Sequence, residues 1–432
     1  MRLGQHQSIK PAISLILGLF PVFSIAFKDG GSALLVVLFL VALFFAWPEW
    51  QLIGKREKQW MWSLMAFSLV IALACFKTED WANASHKIEH YLRFLAIIPI
   101  YLLVRRFKPN VLMPATIGMG VAIIILFFQA VFEKNSEGVD GAYYRIFFGD
   151  SVILFTVLVA GALWILPINR RLRIFSIPLL FLGLYATSES MCRNAWLLLP
   201  VLVPVVLFLY RDKMTRVRLA QIGVGLAVIT TALILWAPSN IDKGLQTGIN
   251  NVEKFMQSSK TDSSWAIRLK LWHDSVIMAS RNPLLGVGIG NFRSARQRLI
   301  NAGETFPSRS LGHAHSIFFH TLATTGLLGL TTLCVALFIM PWRILYPEWK
   351  SSPSDPWRRY AVFSGLLCLV AFAHFGMSEA WTMRNPFINI YVLFMVMFVA
   401  ETCNRRESAK ILSLDSNQSK LPPLTEQKRS SL

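Results

Sequence analysis

Residues 111–132 read VLMPATIGMGVAIIILFFQAVF, with no charged side chain. As an α-helix such a stretch rises about 33 Å, at 1.5 Å per residue. The hydrocarbon core of a bilayer is about 30 Å thick. Backbone N–H and C=O groups find no water there, so a spanning segment must satisfy them internally, as a helix does. Comparable runs lie at 11–27, 31–48, 59–76, 90–104, 149–167, 173–188, 194–210, 217–237, 313–342, 360–378 and 386–402. The chain is therefore expected to be an all-α polytopic integral membrane protein with about twelve transmembrane helices. The ten-residue alternation of a transmembrane barrel is not seen. A mean hydropathy of +0.49 and 54% hydrophobic residues exclude a secreted disulfide scaffold, a disordered tail and an ordinary cytosolic enzyme.

The formal net charge is +19, and its distribution alternates along the chain. Arg105, Arg106 and Lys108 precede the quoted run. Lys55, Arg56 and Lys58, then Arg170, Arg171 and Arg173, occupy other odd-numbered connectors. Twenty-five of the 43 basic residues fall in these connectors and the tail, against seven in the short intervening ones. The positive-inside rule places both termini in the cytoplasm. This pattern reads as topology rather than as a nucleic-acid footprint. Ser24-Ile25-Ala26 weakly resembles a signal cleavage site, but the next run follows at once, so the first span is expected to stay as an anchor. The five cysteines are scattered and read as small packing residues.

The chain divides into helices 1–9 over 1–237, a long outer loop over 238–312, helices 10–12 over 313–403, and a polar tail over 404–432 that reads as disordered. Within the loop, Trp265, Leu269, Trp272 and Val276 fall on one face of an amphipathic helix. Asp262 or Ser263 can cap its start, and Asn282-Pro283 stops it. Gly286, Gly288 and Gly290 then make a tight segment. It lacks the Lys-Ser/Thr of a phosphate-binding loop and reads as a structural turn.

Metal chemistry has little support: no Asp-x-Asp pair occurs, and only His320 is near the His313-x-His315 pair. No Gly-x-Ser-x-Gly marks a nucleophile. What remains on the outer side is a set of arginines and a histidine. Arg145, Arg193 and Arg268 each sit where positive-inside bias should deplete them. Each is either a residue snorkelling to headgroups or a bidentate phosphate ligand. His315 lies in Gly312-His313-Ala314-His315-Ser316 and is either a packed histidine or a base near neutrality. Gly326 and Gly329, three apart, are expected to let another helix approach closely. His313 is a candidate for orienting the motif or for a loop hydrogen bond, Glu189 a candidate partner for Arg193, and Trp272 reads as packing the loop helix or stacking on a sugar. His374 and Glu379 are intramembrane ionisable residues without an assigned role.

The pattern His315-Ser316, nine residues, then Gly326-x-x-Gly329 resembles the signature of the bacterial O-antigen ligase (WaaL) family. The run Arg268…Trp272…Asn282-Pro283-Leu284-Leu285-Gly286-Val287-Gly288…Asn291-Phe292 resembles a loop motif of the wider superfamily, which includes O-antigen polymerases and protein O-oligosaccharyltransferases. The resemblance implies a fold like that of GT-C-type lipid-dependent glycosyltransferases, with a helical periplasmic loop. It implies transfer of O-antigen from undecaprenyl diphosphate to lipid A–core at the periplasmic face of the inner membrane, with no cofactor, metal or nucleic acid. Residue by residue, it makes His315 the candidate base, and Arg268 and Arg193 the candidate diphosphate ligands, with Arg145 a weaker third. Other readings are a polymerase, a protein O-glycosyltransferase, or a transporter of lipid-linked glycans. The last would carry internal repeats and midplane charges, which this sequence does not show.

Overall fold

The computed structural model describes residues 3–133, 135, 138–212, 214–236, 264–305, 312–351 and 353–418. These residues form helices joined by turns, and each of the twelve expected runs is helical over most of its length, the run at 313–342 only from Ile317. The helices are α1 (Leu3–Ala26), α2 (Gly30–Phe45), α3 (Lys55–Cys75), α4 (Trp81–Leu92), α5 (Ile97–Phe107), α6 (Leu112–Phe132), α7 (Arg145–Ile165), α8 (Arg170–Glu189), α9 (Arg193–Tyr210) and α10 (Arg216–Trp236). They continue as α11 (Ser264–Arg281), α12 (Phe292–Asn301), α13 (Ile317–Lys350), α14 (Pro356–Ser378) and α15 (Asn385–Gln418).

Among the described residues, nine helices are long and apolar enough to cross a membrane. The protein is an all-α polytopic membrane protein. α2 is apolar but only 16 residues long. The run expected at 90–104 is broken into α4, a 3₁₀ turn at Arg93–Ala96, and α5. Arg93 explains the break: its guanidinium reaches Ser32 and Asn389 at 3.1 Å and Glu89 at 2.6 Å. The proposed caps at Asp262 and Ser263 lie outside the described residues.

The centre of the bundle is α15, buried along its whole membrane-length window, with α7 and α14 nearly as enclosed. α1, α8 and α9 bury about a third of theirs and form the periphery. α13 contains a π-helical stretch at Val335–Ile339. Such a stretch loosens the i→i−4 ladder. The carbonyl of Ala336 accepts from Trp60 Nε1 at 3.0 Å, and that of Leu337 from the Tyr391 hydroxyl.

At one end of the bundle the basic connectors gather around buried acids. Arg105 is fully buried and binds Glu57 at 2.9 Å, together with Asn404 and Glu407. Arg406 binds Glu348 at 3.0 Å, and Arg358 shares that acid. This network corrects the tail as expected. Over 404–418 α15 continues as helix, with Asn404, Arg405, Arg406 and Glu407 held by buried or half-buried partners; residues 419–432 of the expected disordered tail lie outside the described residues.

The glycine-rich segment after α11 docks in a break near the start of α13. Gly326 has φ +68° and ψ −164°, outside helical values. Val287 and Gly288 N–H donate to the Ala323 and Thr324 carbonyls at 2.9 and 3.0 Å, and Leu327 N–H donates to the Pro283 carbonyl at 2.8 Å. A Cβ on Gly286 would lie 2.5 Å from Ala323 O, and one on Gly326 would lie 2.4 Å from Leu284 O. The close approach expected at Gly326 therefore exists, but the element approaching is a loop backbone rather than a helix. From the other side, Lys77 Nζ reaches Asn282 Oδ1 and Gly286 O at 3.2 and 3.1 Å, and Asn291 Nδ2 donates to Lys77 O at 2.7 Å.

Candidate active site

The site lies at the end of the bundle opposite the Arg105 network, where α14 finishes and α13 begins. His313-Ala314-His315-Ser316 is a non-helical approach to α13. Ser316 caps the helix in extended conformation, and its hydroxyl donates to Gly376 O on α14 at 3.0 Å. His315 takes a left-handed φ of +49°, uncommon outside glycine. That turn brings the His313 and His315 rings within 4.3 Å of each other, whereas on a helix they would diverge. His313 Nδ1 accepts the His315 backbone N–H at 3.2 Å. Burial, then the neighbouring His315, pushes the His313 imidazole down to about 4, so it stays neutral.

Trp272 on α11 holds the same segment. Its indole N–H donates to Ala314 O at 3.1 Å, and its ring stacks on Phe319 at 4.9 Å. This is the packing role among the two considered for it.

Glu379 and Arg384 complete the neighbourhood, and sequence reasoning missed both roles. Glu379 is buried just past α14. Oε2 lies 3.6 Å from His315 Nδ1, and Oε1 lies 3.4 Å from Arg384 Nε. Burial pushes the Glu379 carboxyl up, but His315, His313 and Arg384 outweigh it and hold it below its ordinary value. The Arg384 guanidinium lies 5.2 Å from the centre of the Tyr144 ring, a cation–π distance.

The two principal arginines are brought to this neighbourhood. Arg268 is half-buried on α11. Burial lowers its basicity, Glu379 and Cys192 raise it, and Arg193 lowers it, so these groups lie within electrostatic reach. Arg193 opens α9 with its side chain exposed. The turn before it is tightly built: Met191 has φ +52°, and a Cβ on Gly149 would meet Ser190 Oγ at 2.6 Å. Asp150, fully buried on α7, accepts from Asn194 Nδ2 at 3.0 and 3.3 Å and from Cys192 Sγ at 3.8 Å. His374 Nε2 lies 2.8 Å from Asn194 O, which ties α9 to α14. Glu189 is buried at the end of α8. Arg145 opens α7 with an exposed side chain and a backbone N–H on Asp140 at 3.1 Å; it is its neighbour Tyr144 that lies beside Arg384.

The arrangement offers two adjacent imidazoles, a buried carboxylate and several permanent cations at one end of a membrane bundle. Such a set can accept a proton from a hydroxyl and neutralise a developing anion.

Comparison with known proteins agrees in kind. A protein of Haemophilus influenzae, described only as uncharacterized, is 19% identical over 404 residues, covering 91% of this chain and 99% of the relative. A family model described as O-antigen ligase matches residues 175–334. The match contains Arg193, Arg268, His313, His315 and the Gly326–Gly329 pair, and excludes Glu379 and Arg384. Residues 175–334 are thus similar to the O-antigen ligase family, which supports a place for the chain in the O-antigen ligase/polymerase superfamily.

Proposed function

We propose that the protein is an O-antigen ligase. It transfers the glycan from undecaprenyl diphosphate to a sugar hydroxyl of lipid A–core at the periplasmic face of the bacterial inner membrane. The observation that carries this reading is that Glu379 lies 3.6 Å from His315 and within electrostatic reach of Arg268, which in turn feels Arg193, at the end of the bundle away from the basic connectors. With those connectors cytoplasmic, both termini are cytoplasmic and the site is periplasmic.

The chemistry follows from the groups present. The donor carries its own activation, because a lipid diphosphate leaves as a stabilised anion. Arg268 and Arg193 bind it and offset the charge that grows as the bond breaks, without a metal or ATP. His315 takes the proton of the attacking hydroxyl, a contribution of about 10²–10⁴-fold. In-line displacement inverts the anomeric centre. Arg145 sits farther out, as a contact to the donor's headgroup or to lipid.

The test is transfer from purified donor lipid to purified acceptor lipid. His315→Ala is expected to abolish transfer while donor binding persists; normal transfer by that variant overturns the reading. Arg268→Ala and Arg193→Lys are expected to weaken donor binding by about 10- to 100-fold, the worth of hydrogen bonds to a charged group. Wild-type affinity in both would make them headgroup residues. Lipopolysaccharide from a deletion strain separates the nearest alternative. Core without long chains, with lipid-linked polymer accumulating, fits a ligase, whereas core bearing a single repeat unit means a polymerase.

A further inference from the structure

One carboxylate beside His315 lies outside both the sequence motifs and the family match. Glu379 lies past the end of α14, outside residues 175–334. Its two oxygens are divided between two cations or potential cations: Oε1 to Arg384 at 3.4 Å and Oε2 to His315 Nδ1 at 3.6 Å. Its side chain is 2% exposed, against 23% for His315. A carboxylate is costly to bury unless paired, and here its pairing is Arg384 and the histidine. His315 Nδ1 is itself buried and makes no hydrogen bond, so the 3.6 Å to Glu379 Oε2 is an ion-pair distance. The nitrogen left to meet a substrate is therefore Nε2.

We infer that Glu379 is the positioning residue of His315: its charge beside Nδ1 favours the proton there and leaves Nε2 as the base. This assignment rests on the transfer reading given above. In the step it serves, the acceptor hydroxyl loses its proton to Nε2 as its oxygen bonds to the anomeric carbon. The bond from that carbon to the diphosphate oxygen breaks, and the electron pair leaves with undecaprenyl diphosphate. The imidazolium that forms sits beside the Glu379 carboxylate and is stabilised by it. His313 fixes the backbone that carries this ring, its Nδ1 accepting the His315 N–H. Among the described residues, the other charged or titratable groups bearing on the site are Arg384, Arg268, Arg193, Lys87, His320, Cys192, Asp150 and Tyr144. Of these only Arg384 shares the Glu379 carboxylate by direct contact.

An amide in place of the carboxylate can present either its oxygen or its NH₂ to Nδ1, and so no longer selects a tautomer. Glu379→Gln is therefore expected to lower kcat by roughly 10²-fold, within the contribution of a general base. Donor and acceptor KM should be nearly unchanged. Glu379→Asp keeps the charge and should recover part of that loss. In a His315→Ala background, Glu379→Gln should lower the residual transfer no further, because two residues acting as one unit are not additive.

Donor-lipid affinity, measured separately, reads folding in each variant. Wild-type kcat for Glu379→Gln overturns the assignment. So does a loss in donor affinity that accounts for the loss in transfer in Glu379→Gln and Glu379→Asp alike, or a further fall in the His315→Ala background. If His315→Ala itself transfers normally, the transfer reading fails first. If His315→Ala is inactive and Glu379→Gln is wild-type, only the role of Glu379 fails.

Discussion

Trp272 donates its indole N–H to the carbonyl of Ala314, the residue between the two histidines. The loop helix thus sets the backbone from which His315 projects. Trp272→Phe keeps an aromatic face for Phe319 and removes the donor. It is expected to fold, to lose about 1 kcal/mol of local stability, and to lower kcat more than donor affinity. Trp272→Ala removes the stack as well and should cost more, toward the 3–5 kcal/mol of large-to-small aromatic deletions. Thermal unfolding in detergent, paired with transfer assays, checks both.

Gly326 and Gly286 face each other across the break in α13, each at a positive φ. A β-carbon on either would press into backbone at about 2.5 Å, so no side-chain movement relieves it. Gly326→Ala and Gly286→Ala are each expected to destabilise by several kcal/mol through strain and overpacking. Gly303 has the same sign of φ but open space around it, so Gly303→Ala should cost no more than about 1–2 kcal/mol, the left-handed strain alone. Folded yield after membrane extraction distinguishes the two cases.

His313 is held neutral, with a pKa depressed to about 4 chiefly by burial. The unfolded chain's histidine titrates near 6.5. The contribution is fully present above pH 6.5. It falls away as pH drops from there toward 4, because the unfolded state binds a proton that the folded state refuses. The midpoint of thermal unfolding should therefore decline between pH 7 and pH 5. In His313→Asn, which keeps a polar group but cannot titrate there, the decline should be smaller. An equal decline in both would remove His313 from the effect.

Arg105 binds Glu57, Asn404 and Glu407 at the far end of the bundle. Removing one member of a buried pair leaves an uncompensated charge and costs about 3–5 kcal/mol. Arg105→Ala should sharply reduce the yield of folded protein. Because the site lies at the other end, transfer per folded molecule should be near wild type. A large fall in specific activity at normal yield would contradict that separation.

The spans were legible because lipid leaves the backbone few options: an apolar run of about 20 residues is enough to fix a helix. The alternation of Arg and Lys clusters was legible for the same reason. His315 could be singled out because a polar residue before a glycine-spaced apolar run is unusual. Glu379, Arg384, Tyr144 and Asp150 could not be gathered this way, since they converge from elements far apart in sequence. Gly326 shows a second limit. Glycines three apart serve equally for helix contact and for a helix break, and only the docking of Val287 and Gly288 decides between them. The tail misled because its charges look solvated until Arg105 and Glu348 are placed opposite them.

The docking of the glycine segment into α13 has a consequence for biogenesis. The groups it joins are contributed by Lys77, the run from Asn282 to Asn291, and α13, while Glu379 and Arg384 follow still later in the chain. During synthesis the outer loop reaches its own side of the membrane before its docking partner has emerged. His315 then waits for Glu379 until α14 has crossed. The His315–Glu379 pair is thus withheld from the nascent protein and completed only when the turn after α14 arrives.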